Sequence, residues 1–118
     1  MPSIVIKQMK IQMIYEVKAM FRPEKAYEFW QILGDGTVAR QKPDGSEIVA
    51  SMKRAVVTSD GHVQWSELCY CDLPLKHERE TVLDRFFDGI RTNPISSHRD
   101  YEGEPFLDYL NSLAVSAP

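Results

Sequence analysis

Cysteine is scarce in this chain, with only Cys69 and Cys71 among 118 residues. Two thiols cannot build the disulfide framework of a small secreted domain, and they are too few for a closed tetrahedral zinc site. They predict structural roles in a reducing, cytoplasmic setting. Histidine is nearly as sparse: His62, His77 and His98 are far apart and nothing in their spacing makes them converge. His77-Glu78-Arg79-Glu80 lacks the second histidine of a zinc-protease helix, because Thr81 stands where it would be needed. No metal site is expected. Positive charge is not in excess either. Lys and Arg total 14 against 17 Asp and Glu, and no basic stripe offsets the formal charge of −3, which argues against nucleic-acid binding. No apolar run approaches the roughly 20 residues of a membrane span. The first residues lack the basic start and long apolar stretch of a secretory signal, so no membrane association is expected. Gly34-Asp35-Gly36 is too short for a phosphate loop and follows a predicted helix, not a strand. No motif calls for a cofactor.

What is present fits one α+β domain over residues 1–118, since 43% hydrophobic and 26% charged residues are ordinary for a globular chain. The strongest local signal is Asp60-Gly61 between two apolar runs, Ile48 to Thr58 and His62 to Cys71. Asp-Gly suits a two-residue hairpin turn whose central residues need φ > 0. With Asp60 and Gly61 as the turn, Ser59 pairs with His62, Val56 with Trp65, Arg54 with Glu67, Met52 with Cys69 and Ala50 with Cys71.

Other elements follow from periodicity. Residues 1–9 form an N-terminal arm or an edge strand around Ile4-Val5-Ile6. From Lys10 the alternation of Ile11, Met13, Tyr15, Val17, Ala19 and Phe21 predicts a strand with one apolar face. Its mixed face carries Ile14, Glu16, Lys18 and Met20. Pro23 opens a helix whose Ala26, Phe29, Trp30 and Leu33 are expected in the core, and Gly34 closes it. Residues 34–46 are turn-rich, with room for a small hairpin over 37–41. A second helix runs from Pro74 to about Asp88 on an apolar face of Leu75, Val82, Leu83, Phe86 and Phe87, and Gly89 ends it. Ile90 to Thr92 is a short last strand cut off by Asn93-Pro94. A helix over 104–113 buries Phe106, Leu107, Leu110 and Leu113.

Strand, helix, hairpin, helix, strand is the ferredoxin-like βαββαβ order, here with a C-terminal helix. One sheet face is then covered by helices and the other is open, with several apolar groups that need a partner. On its hairpin face, Arg54 and Glu67 stand as an opposite-charge pair among Met52, Val56, Trp65 and Cys69. That pair reads either as a register device or as the polar anchor of an apolar pocket. If Glu16 shares the cavity, two carboxylates beside one guanidinium have their pKa values pushed apart, which supplies acid and base candidates. The candidate catalytic residues are therefore Glu16 and Glu67. Arg54 would hold the anionic group of a small ligand, with Trp65 and Met52 as apolar walls. Ser97-His98-Arg99-Asp100 lies in a loop, where His98 is at most a lid residue.

Between about Lys10 and Thr92 the element order resembles the dimeric α/β-barrel superfamily, and residues 51–87, with the hairpin and the Pro74-initiated helix, carry the closest local likeness. That group includes antibiotic-biosynthesis monooxygenases, YCII-related proteins and muconolactone-isomerase-like enzymes. The resemblance implies a homodimer in which two sheets pack face to face and enclose a small pocket in each subunit. Two function classes follow: a small-molecule-binding protein or cofactorless enzyme with its pocket inside the barrel, and a non-enzymatic interaction or regulatory module. An enclosed cavity lined by Arg54 and Glu67 would favour the first.

Overall fold

A computed structural model of the chain describes residues 12–69 and 73–116. The expected arm over residues 1–9, and the partner role of Cys71, lie outside the described residues. The fold is α+β, built on a five-stranded antiparallel sheet in the order β4-β1-β3-β2-β5. Strand β1 (Met13–Phe21) is an inner strand, and its alternation is the one the sequence shows. Tyr15, Val17, Ala19 and Phe21 are buried on the helix side, while Ile14, Glu16, Lys18 and Met20 face outward.

A short 3-10 turn (Pro23–Lys25) leads into α1 (Ala26–Gly34). Ala26 and Phe29 are buried, but Trp30 is 42% exposed, which corrects its expected place in the core. One residue past Phe29 is about 100° further round a helix, and that turn carries the indole off the buried stripe. Residues 35–44 form successive turns without strands, pinned by the buried Val38.

The largest departure follows. The run expected to be the first hairpin strand is instead helix α2 (Gly45–Arg54), and only β2 (Val56–Val57) is extended. Buried Ile48, Ser51, Met52 and Ala55 recur at i, i+3, i+4 and i+7, the spacing of a helix face. Glu47 in the first turn and Lys53 and Arg54 in the last also match the helix dipole. The expected cross-strand pairs of Ala50, Met52 and Arg54 therefore do not form. What remains of the hairpin pairs Val56 with Gln64 and Val57 with Val63. That register is one residue away from the expected Val56–Trp65 pairing. The turn is a three-residue one, with the Thr58 N–H donating to His62 O and Gly61 at φ +83. A left-handed residue at this position is what a three-residue loop requires, and glycine adopts it without strain.

Strand β3 (Val63–Cys69) pairs with β1, not with the run before the turn alone. Helix α3 (76–86), with a π-helical middle at Arg79–Leu83, packs the buried Val82, Leu83 and Phe86 against the sheet. Phe87 opens β4 (Phe87–Ile95), a nine-residue strand much longer than the expected Ile90 to Thr92. Gly89, at φ +60, lies in β4 where the register against β1 shifts, so it marks an irregularity within the strand and does not end a helix. Pro94 fits because β4 is the outermost strand of the sheet, where a missing N–H breaks no ladder. Glu104 and Pro105 pair with β2 as β5 before α4 (Phe106–Val115) begins. The core is the helix-side layer, centred on Phe21, Phe29, Phe86, Phe87 and Phe106.

Candidate functional site

Register alone separates the two candidate carboxylates. Glu16 stands opposite Ser66, and Tyr15 stands opposite Glu67. Alternation then puts Glu16 on the outer sheet face and Glu67 on the helix side, so the two do not share a cavity as expected.

Glu67 is sealed, with no exposed surface. Its Oε1 accepts a hydrogen bond of 2.8 Å from Trp65 Nε1, while Oε2 makes none among the described residues. Burial pushes its pKa well above the usual carboxylate range, and the Glu78 and Glu47 carboxylates push it further. The Trp65 N–H, and to a smaller extent Ser51, oppose that shift. Glu67 is therefore held towards its neutral form. Trp65 is equally buried, packed on Phe87 at 5.3 Å between ring centroids.

Arg54 does not pair with Glu67. Its guanidinium donates to Glu47 Oε2 at 2.9 Å, to Ser51 Oγ at 3.2 Å and to the carbonyl of Ser66 at 2.9 Å. Glu47 Oε2 in turn accepts from the Leu68 N–H at 2.9 Å. The reason lies in the short β2. It stops pairing with β3 at Gln64, which leaves Ser66 O and Leu68 N–H with no strand beside them among the described residues. The Arg54–Glu47 pair of α2 supplies the donor and acceptor that a longer strand would have given. Charge-assisted bonds of this kind contribute about 1.5–3 kcal/mol each when shielded, and partial exposure of both side chains, 31% and 25%, reduces that. Arg54→Met is expected to lower unfolding free energy by about 2 kcal/mol, read in urea melts. An unchanged midpoint would show that the clamp on β3 contributes nothing.

On the outer face, residues 96–103 run from β4 at one side of the sheet to β5 at the other. This strap is tied down at two neighbouring points. Ser66 Oγ and His98 Nδ1 share a hydrogen bond of 2.7 Å, and the Arg99 N–H donates to the same hydroxyl at 3.3 Å. Arg99 Nη1 and the Tyr101 hydroxyl both donate to Glu16 Oε2, at 3.2 and 3.3 Å. Burial and the Glu16 charge push the Tyr101 phenol up to about 12, so it remains a donor. His98 thus lies over the sheet, as a lid residue would, but Ser66 beneath it is fully buried. A nucleophile needs an approach path as well as a base, and this pair lacks one.

Open space lies on the other side of the molecule. A groove of about 260 Å³ runs between three helices. Trp30, Leu33 and Gly34 of α1 form one wall, and Leu107 and Leu110 of α4 another. Val49, Met52 and Lys53 of α2 complete it. Each helix presents residues three or four apart, which share one face. Of the expected ligand contacts, Met52 lines this groove, whereas Arg54 and Trp65 are committed elsewhere. Lys53, Val49, Leu107 and Leu110 are not legible as a set in the sequence, because they converge only when residues 45–54 are helical. No group of three or more His, Cys, Asp or Glu among the described residues is placed to hold a metal ion. Among the described residues no helix is long and apolar enough to cross a membrane.

No protein-family model, curated protein or solved structure matches the chain.

Proposed function

We propose that this protein binds a small, largely apolar molecule in the groove between α1, α2 and α4, and that it acts as a binding protein without acid–base chemistry of its own. The observation that carries this reading is the groove itself: about 260 Å³, walled by leucine, valine, methionine and a half-exposed tryptophan. Small-molecule sites are concave and mostly apolar with few polar groups. The carboxylates offer no rival centre. Glu67 is sealed, and Glu16 is tied to Arg99 and Tyr101 on the far side of the sheet.

The strand order β4-β1-β3-β2 supports the ferredoxin-like reading of the chain. Ile14, Leu68 and Ile95 are half-buried on the outer face, where the expected second copy would dock, but a dimeric barrel would have to close around the strap. The groove is complete within one chain, so the binding reading does not depend on that homodimer. The exposed aromatic pair Tyr27 and Trp30, with ring centroids 6.3 Å apart, favours a second reading in which an apolar protein segment occupies the same groove.

Octanol serves as a neutral probe. It is expected to bind at one site and to shift the emission of Trp30. Gly34→Leu supplies the control, because a Cβ at Gly34 meets nothing within 4 Å and a longer side chain there fills the groove. That variant is expected to fold with unchanged or slightly higher stability, by about 0.5–1 kcal/mol, and to lose octanol binding in calorimetry. Octanol binding that persists in Gly34→Leu, or no binding in the native protein, would remove the groove as a ligand site.

A further inference from the structure

Resting on that groove reading, we propose that the ligand is an amphipathic anion: a short apolar chain or ring with one anionic head, the body against Val49 and Met52 and the head on the Lys53 ammonium. Among the described residues, Lys53 is the only charged one lining the groove. Its neighbour Arg54 is engaged through Nε and Nη2 by Glu47, Ser51 and Ser66. Lys53 takes part in no ion pair or hydrogen bond among the described residues. Two adjacent cations at the end of α2 are thus divided between tasks, one holding β3 and one facing open space.

The order of residues along α2 sets the ligand's orientation. Val49, Met52 and Lys53 at i, i+3 and i+4 form one stripe with its charge at the C-terminal end. The lysine stem extends the apolar wall while the ammonium stays at the mouth. A carboxylate there meets an unpaired cation. A second cation would be repelled, and a neutral end would gain no charge attraction from the exposed ammonium. The groove holds the equivalent of about eight or nine water-sized groups, which matches an eight-carbon acid better than a long lipid chain or a nucleotide.

Octanoate and octanol, equal in length and different in charge, separate the two levels of the proposal by calorimetry. Octanoate is expected to bind at least tenfold more tightly than octanol to the native protein, and its affinity is expected to fall with added sodium chloride. Lys53→Gln is expected to bring octanoate down to the octanol value, leaving octanol binding and the thermal midpoint unchanged. Equal affinities in the native protein, both abolished by Gly34→Leu, would overturn the anion assignment and leave the groove reading standing. An octanoate preference that survives Lys53→Gln would likewise overturn it. Binding of neither probe would overturn both.

Discussion

Replacing Phe86 by alanine is expected to cost about 3–5 kcal/mol of unfolding free energy, the range for a large buried aromatic. Phe86 has no exposed surface and stacks on Phe29 with ring centroids 4.3 Å apart and planes 20° from parallel. The Arg85 guanidinium lies 5.0 Å from its centroid on the solvent side. Phe29 in turn meets Phe21, Phe87 and Phe106, so one ring removed from α3 loosens the contact of α1 and α4 with the sheet. The loss is large against the 5–15 kcal/mol of a typical domain. Denaturant melts should show it as a lower midpoint with the slope kept. A change below about 1 kcal/mol would mean that the ring cluster is not the core.

The second large effect concerns Glu67 and has the opposite sign. Its carboxyl holds a proton in the folded state to a higher pH than in the unfolded chain. Below the unfolded pKa both states are protonated, and Glu67 takes nothing from stability. Above it only the folded state keeps the proton, so stability falls as pH rises, by about 1.4 kcal/mol per unit until the folded pKa is reached. Asp35, Asp60 and Asp88 act in the other direction. Their pKa values are lowered, chiefly by Thr37, Thr58 and Arg22, so their contribution is lost as pH falls. Comparing wild type with Glu67→Gln at each pH cancels those groups. The amide keeps an acceptor for Trp65 and turns an N–H₂ towards the carboxylates that raise Glu67. Glu67→Gln is expected to match wild type near pH 4 and to be more stable by about 2 kcal/mol at pH 8. A flat difference across that range, or a less stable variant at pH 8, would show that Glu67 is ionised and satisfied in the fold.

The legible parts of this sequence are those where one period holds over a whole element. In β1, the alternation of Tyr15, Val17, Ala19 and Phe21 marks the strand and its buried face, and Val82 and Phe86 mark the face of α3 as Phe106 and Leu110 mark that of α4. The illegible part was residues 45–54, where Ile48, Ala50 and Met52 fit a period of two while Ile48 and Met52, with Ala55 just beyond, fit one of 3.6. The Asp-Gly turn favoured the strand, although Glu47 at one end and Lys53-Arg54 at the other were the helix signal. The candidate site inherited that error. Arg54 and Glu67 stand face to face only if residues 48–58 form a strand, and helix α2 separates them. Glu67 proved buried and perturbed, but through desolvation next to Glu78 and Glu47, not through Arg54. The link between Ser66 and His98 joins residues 32 positions apart and leaves no local pattern.

Amide chemical-shift mapping during an octanoate titration tests the central claim, a ligand site on the helix side of the sheet, most directly. The account predicts the largest changes at Trp30, Val49, Met52, Lys53 and Leu107, with Glu16, Ser66 and His98 unmoved. Changes concentrated at Glu16, Ser66 and His98, with the groove silent, would contradict it and return the site to the outer face of the sheet.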